Sequence, residues 1–132
     1  MIQRPYPNTI FRARCTKVVD GDTLDLELDL GFHLKFSSRF RLYGIDAPEK
    51  NSKDAQQRAL ALKAQELVQK FCINDVQGLE WPLLVSTSKD PDSFGRWLAV
   101  VSVEVLEDDG AVRTVELNAE LVKEGLAVVY KR

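Results

Sequence analysis

Apolar and polar side chains alternate along three consecutive stretches near the start of the chain. These stretches cover residues 10–19, 23–30 and 33–43, and the second places four leucines between three carboxylates. A period of two is that of β-strands with one buried face. Asp20-Gly21, between the first two stretches, is a hairpin turn signal. The pattern therefore predicts an antiparallel meander of three strands.

The spacing becomes helical in residues 52–71, and Ser52 or Asp54 is suited to the N-cap of that helix. The apolar stripe of this helix is Leu60, Ala64, Leu67, Val68 and Phe71. Two further strands are predicted, one around residues 83–85 and one over residues 96–106.

The chain is predicted to close with a short helix over residues 118–124 and a last extended piece over residues 126–130. Asn118 is the expected helix cap and Gly125 the residue after the helix. The polar stretch over residues 89–93 is predicted to be an exposed turn.

Three strands, a helix, two strands and a short helix define an α+β domain. The strands are expected to close into a five-stranded β-barrel because closure removes unpaired edges. The long helix then packs against the barrel. The strand count alone does not separate a barrel from a sandwich. The whole chain, residues 1–132, is expected to be one domain, with residues 1–8 as a loose lead-in.

Composition narrows the classes of function. The formal net charge is −2, which argues against a broad basic platform for nucleic acid but leaves room for a local cationic cleft. No apolar run approaches the ~20 residues that span a bilayer. The first residues lack a signal peptide, so a cytoplasmic location is expected unless the chain has been trimmed. Cys15 and Cys72 are interpreted as buried thiols, with a single disulfide left open.

The densest chemistry follows the third strand. Arg41 is succeeded by Gly44 and Pro48, which end the strand pattern and leave Asp46 and Glu49 at its mouth. Two carboxylates and an arginine at one strand end favour metal and phosphate chemistry. A structural alternative exists for each piece alone: Asp20-Gly21-Asp22-Thr23 as a type I′ hairpin turn, and Gly95-Arg96 as a surface salt bridge.

Taken together these pieces resemble the active-site signature of the staphylococcal-nuclease-like (thermonuclease) family. That signature consists, in order, of an Asp-Gly-Asp-Thr turn, an Arg-to-Asp-x-Pro-Glu segment and a Gly-Arg. The resemblance implies an OB-fold barrel. It also implies Ca²⁺ held by the carboxylates of Asp22 and Asp46 and by the Ala47 carbonyl.

The same resemblance assigns the remaining roles. Arg41 and Arg96 are the implied phosphate-binding pair, and Glu49 is the implied general base that activates water. Weaker candidates for substrate binding are Phe94, Tyr130 and Lys35.

The expected function is that of a monomeric calcium-dependent phosphodiesterase. Its substrates are DNA and RNA, and by resemblance it is an endonuclease that leaves 3′-phosphate ends. The rival hypotheses are a non-catalytic barrel that binds nucleic acid or a partner protein, and a domain in which calcium only orders loops.

Overall fold

A computed structural model describes residues 10–90 and 96–130 of the protein. It contains eight strands among these residues: β1 (Ile10–Asp20), β2 (Thr23–Gly31), β3 (Leu34–Leu42), β4 (Ile45–Asp46), β5 (Leu83–Lys89), β6 (Trp97–Leu106), β7 (Val112–Glu116) and β8 (Val128–Val129). The helices are α1 (Ala55–Gln69), which continues into a π-helical turn at Lys70–Asn74, and α2 (Leu117–Lys123).

Five of the strands form a closed barrel. The hydrogen-bonded order is β3-β2-β1-β5-β6, and a parallel pairing of β3 with β6 closes the ring. β7 adds to the outer edge of β6, and β4 forms a separate two-stranded sheet with β8. The predicted α+β barrel is therefore confirmed, while β7 is an additional strand that the pattern did not indicate. Its five residues bury one side chain, Val115, so the sequence shows little alternation there.

The alternation in β2 sets the barrel core. Leu24, Leu26 and Leu28 are buried, and Phe40 and Leu42 of β3 meet them inside the barrel. Leu30 was expected inside as well, but it is 42% exposed because β2 runs out of the barrel into the turn before β3.

The helix α1 packs its apolar stripe onto the barrel. Ala64 and Val68 are fully buried, and the Asp54 side chain accepts a hydrogen bond from the Gln56 backbone N–H, which makes Asp54 the N-cap. Cys72 follows in the π-helical turn. Both cysteines are free thiols, and burial raises the pKa of the Cys15 thiol to about 11.

The cap prediction for α2 was wrong. The N-cap position falls on Glu116, and Asn118 lies inside the first turn with its side chain buried. Its amide donates hydrogen bonds to the carbonyls of Tyr43 (2.9 Å) and Ala99 (3.1 Å) and accepts one from Val101 N–H (3.1 Å). Asn118 therefore ties the end of β3 to β6 instead of capping a helix.

The chain end reaches the same region. Gly125 ends α2 with φ +73°, and β8 then pairs with β4, placing Val128 beside Asp46. Within the described residues, no helix has the length and apolar character needed to span a bilayer.

Candidate active site

The turn between β1 and β2 delivers Asp22 to the barrel mouth. Asp20 pairs with Thr23, so Gly21 and Asp22 are the two central residues of the hairpin. Neither has a positive φ, which excludes the type I′ turn considered from sequence. Glycine is required for a different reason: a Cβ at Gly21 would lie 2.6 Å from the Ala64 Cβ of α1. The absence of a side chain lets the turn sit directly on the helix.

Asp22 is almost buried and is tied to the loop that comes after β4. Its carboxylate accepts hydrogen bonds from Ala47 N–H (3.1 Å) and from the Thr23 hydroxyl (3.1 Å). Its backbone carbonyl accepts a bond from Leu42 N–H at 2.8 Å. The turn, the end of β3 and the loop after β4 are therefore held as one unit around this carboxylate.

Arg41 lies between two carboxylates. Its Nη2 donates to Asp46 Oδ1 at 3.1 Å and lies 3.7 Å from Asp22 Oδ2. The guanidinium is 22% exposed. The single positive charge of Arg41 thus lies between two negative charges. The site keeps an excess of negative charge, which a bound cation would balance.

The loop with Asp46 is shaped by Gly44 and by the last strand. Gly44 has φ +78°, a conformation that glycine adopts without strain, and its carbonyl accepts a hydrogen bond from Tyr130 N–H (2.8 Å). β4 then pairs with β8. The chain turns sharply after β3 and returns Asp46 and Ala47 to the cleft.

Glu49 lies on the rim of the same cleft. The cleft has a volume of about 230 Å³. Its lining consists of Asp20, Asp22, Thr23, Arg41, Asp46, Ala47, Pro48, Glu49, Lys50 and Asn51. Glu49 is exposed, while its neighbour Lys50 donates to the Val19 carbonyl (3.1 Å) and lies 3.4 Å from Asp20. Lys50 thereby fastens the Glu49 loop to the β1–β2 hairpin.

Arg96 is held outside this lining by a carboxylate that sequence reasoning missed. Its Nε donates to Asp90 Oδ2 at 2.6 Å, and the Asp90 side chain is 0% exposed. The prediction of an exposed turn was therefore wrong at Asp90. Arg96 comes just before β6, where Trp97 pairs with Phe40 and Leu98 with Arg41. No local pattern in the sequence singles out Asp90, since its partner Arg96 comes six residues later in the chain.

The three weaker substrate candidates are placed differently. Tyr130 lies beside the cleft, with its ring centroid 5.9 Å from the Arg41 guanidinium carbon. Lys35 lies at the opposite end of β3, six residues or about 20 Å from Arg41. Its ammonium is 3.7 Å from Glu27 and 5.9 Å from the Trp81 ring centroid. Phe94 lies outside the described residues.

The donor set at the barrel mouth fits a hard cation. Asp22 and Asp46 approach the same guanidinium nitrogen, and Ala47, whose carbonyl is the third donor implied by the resemblance, lines the same cleft. All three are oxygen donors, as Ca²⁺ prefers. Across residues 10–90 and 96–130, no group of three or more His, Cys, Asp or Glu side chains is positioned to hold a metal. A cation held by two carboxylates alone retains sites for water and phosphate.

The chain is similar to proteins of a known family. The family model of the staphylococcal nuclease homologues matches residues 39–132. The chain is 30% identical over 124 residues to micrococcal nuclease of Shigella flexneri, covering 92% of this chain and 59% of that protein. It is 28% identical over 120 residues to Protein ParB of Escherichia coli, covering 91% and 58%. The chain thus spans less than two thirds of the length of these relatives.

The closed barrel, with an arginine and two carboxylates at its mouth, and the family match place the chain among the nuclease-like barrel proteins. The chain belongs to the staphylococcal nuclease homologue family. The resemblance inferred from three short motifs is confirmed over most of the chain.

Proposed function

We propose that the protein is a calcium-dependent phosphodiesterase that hydrolyses DNA and RNA. The observation that carries the proposal is the shared guanidinium: Arg41 Nη2 lies within 3.7 Å of both Asp22 and Asp46, and Glu49 lines the same cleft. If Asp22 and Asp46 had only a structural role, the site would need neither its excess of negative charge nor the exposed Glu49. Calcium as a loop-ordering ion alone would leave the exposed Glu49 without a role.

Asp22, Asp46 and the Ala47 carbonyl would hold the cation. When bound, Ca²⁺ supplies positive charge to the scissile phosphate and polarises its P–O bonds. With the charge of the carboxylates balanced in this way, Arg41 is able to turn its N–H groups from Asp46 to a phosphate oxygen. Guanidinium groups match phosphate geometry with two parallel N–H bonds.

Glu49 accepts the proton of the attacking water. Its carboxylate lies on the open side of the cleft, where water is available. Water forms the new O–P bond, the bond between phosphorus and the 5′ oxygen breaks, that oxygen takes a proton from solvent, and the phosphate remains on the 3′ side. Arg96, oriented by Asp90, offers its remaining N–H groups to the negative charge that builds on the phosphoryl oxygens.

Digestion of single- and double-stranded DNA and RNA tests the proposal. We expect the wild type to cut with calcium and to stop in chelator, and Glu49→Gln to lose ~100-fold or more in rate, as for removal of a general base. Lys63→Gln on α1, an exposed change away from the cleft, is the matched control. A folded wild type that is inert with calcium, or a Glu49→Gln variant with full activity, would contradict the proposal.

A further inference from the structure

The outer face of the β1–β2–β3 sheet carries charge in columns. Register places Arg12 opposite Asp29, Arg14 opposite Glu27 and Lys17 opposite Asp25. On the other side of β2, Lys35 is opposite Asp29 and Arg39 opposite Asp25. A column of three carboxylates on β2 is thus bordered by basic residues on both neighbouring strands.

The two kinds of charge differ in exposure. The carboxylates of β2 are half-buried, whereas Arg12, Lys17 and Lys35 are exposed. Five cations and three carboxylates share the face, an excess of two positive charges on a chain whose net charge is −2. Arg39 donates to both oxygens of Asp25 (2.8 and 3.2 Å), so its charge is locally satisfied. Arg14 likewise donates to Glu27 at 2.6 Å, so within the part of the chain that the structure describes, the cations of β1 without a hydrogen-bonded carboxylate are Arg12 and Lys17.

We name Arg12, Arg14 and Lys17 the β1 basic column. The column leads towards Asp20, a residue of the same strand that lines the cleft. Its far end, Arg12, lies about 27 Å from Asp20 along the strand. Among the described residues, neither Arg12 nor Lys17 donates a hydrogen bond through its side chain. Both are available to an anionic ligand.

An aromatic side chain stands at the far end. The Trp81 ring lies outside the core, with the Arg14 guanidinium carbon 4.9 Å and the Lys35 ammonium 5.9 Å from its centroid. Trp81 lines another cavity, of about 540 Å³, together with His33, Lys35 and the carboxylates Asp29 and Glu80. Exposed cations beside an aromatic ring are able to hold single-stranded nucleic acid by phosphate contact and base stacking.

Building on the proposed function, we propose that the β1 basic column and Trp81 form an extended binding track for a single-stranded polynucleotide. The strand leaves the cleft beside Asp20 and follows β1, with phosphates on Lys17 and Arg12 and a base on Trp81. The substrate of the cleft is then an oligonucleotide several residues long, since the track binds the strand outside the scissile bond.

Binding of a 15-residue oligothymidylate tests the track. The Glu49→Gln background in chelator separates binding from cleavage. Each phosphate contact contributes ~0.7 to the slope of log affinity against log salt for single strands. We expect Arg12→Ser combined with Lys17→Ser to lower this slope by about 1.4. Lys63→Ser combined with Lys123→Ser, which removes two exposed cations from α1 and α2, should leave it unchanged. An unchanged slope in the track variant, or an equal fall in the control, would overturn the track.

Two further measurements identify the occupant. Binding should quench Trp81 fluorescence, and Trp81→Phe should abolish that change while Trp97 still emits. If Trp81→Phe retains the full change, the base does not contact Trp81. Polyglutamate is the competitor: if it binds as tightly and with the same loss in the track variant, the face accepts an acidic protein instead of a polynucleotide.

Hydrolysis separates failure of the track from failure of the proposed function. In otherwise wild-type enzyme, the track variant should lose more kcat/KM on the 15-residue strand than on a thymidine dinucleotide. Cleavage with an equal loss on both substrates would contradict the track and leave the nuclease proposal standing. Binding with the predicted salt slope but no cleavage of either substrate would support the track and contradict the nuclease proposal.

Discussion

Two arginines on one strand illustrate how position decides what a charge does. Arg39 and Arg41 lie two residues apart on the outer face of β3. Arg39 is 59% exposed and meets a single carboxylate, Asp25, in a two-bond pair. Arg41 is 22% exposed and is shared by Asp22 and Asp46. The first pair balances its charge, and the second site retains negative charge.

The difference arises from the backbone on the C-terminal side of each arginine. Arg39 lies within a regular ladder, so its neighbours are fixed by strand register. Arg41 lies where the strand ends, and the turn at Gly44 brings a loop carboxylate back onto it. A regular sheet pairs charges one to one, whereas a strand end surrounded by loops gathers several.

Conservative replacement of the two arginines should give the largest contrast. Arg41→Lys keeps the charge and loses the two-bond geometry for phosphate, so we expect kcat/KM to fall ~100–1,000-fold, as for loss of an oriented donor. Arg39→Lys is the matched control and should stay within about twofold. Steady-state cleavage of a thymidine dinucleotide measures both. Equal losses of kcat/KM in Arg41→Lys and Arg39→Lys would contradict the claim that the two arginines have different roles.

The anchor of the strand end should be the next most sensitive point. Asn118→Ala removes three buried hydrogen bonds to Tyr43, Ala99 and Val101, and we expect the free energy of unfolding to fall by ~3 kcal/mol. The exposed control Asn74→Ala should stay within ~0.5 kcal/mol. Urea unfolding followed by tryptophan fluorescence measures both, and a loss below ~1 kcal/mol in Asn118→Ala would contradict the assignment.

Asp90 should affect turnover through Arg96. Asp90→Asn weakens the 2.6 Å charge-assisted bond that orients the guanidinium, and we expect kcat to fall about tenfold with little change in KM. The double-mutant cycle with Arg96→Ala is the check. If Asp90→Asn costs as much without Arg96 as with it, Asp90 does not act through that arginine.

The Arg39–Asp25 pair should give the smallest effect, a change in stability that depends on pH. The hydrogen bond and charge of Arg39 hold the pKa of Asp25 below its ordinary value. Because the lowered pKa belongs to the folded state, the stabilisation is present above about pH 4 and is lost as pH falls through the lowered pKa.

Exposed pairs of this kind contribute little to stability, because water and salt screen their attraction. A cycle of Asp25→Asn with Arg39→Ser, followed by urea unfolding from pH 7 to pH 2, should show a small coupling that disappears in acid. Coupling that persists at pH 2 would contradict an ion pair between these two side chains.

The same contrast explains which features could be predicted from sequence. β1, β2 and β3 follow from alternation, and the stripe containing Ala64 and Val68 predicts α1, because burial on one face imposes a period on the sequence. The motifs around Asp22, Arg41 and Asp46 were joined into one site by their resemblance to a family signature, and the structure brings these three side chains together. Local pattern was sufficient where local geometry sets the position.

The remaining features depend on contacts between distant segments. Asn118 resembles a helix cap by its position, but its partners are on β3 and β6, 75 and 19 residues away for two of its bonds. The buried Asp90 lies in a polar, proline-containing stretch typical of an exposed turn. Trp81 is large and aromatic, as many core residues are, but its ring lies outside the core, beside Arg14 and Lys35. Such roles become visible only when the barrel closes.

The cleft at Asp22 and Asp46, unlike the Arg39–Asp25 pair, is expected to bind a cation. Thermal unfolding with and without calcium, in the presence of a nucleoside bisphosphate, tests this on wild type, Asp46→Asn and Asp25→Asn. Because a ligand that binds only the folded state raises its stability, we predict that calcium raises Tm in wild type and in Asp25→Asn but not in Asp46→Asn. A calcium shift of equal size in Asp46→Asn, or no shift in wild type, would contradict a cation site in the cleft.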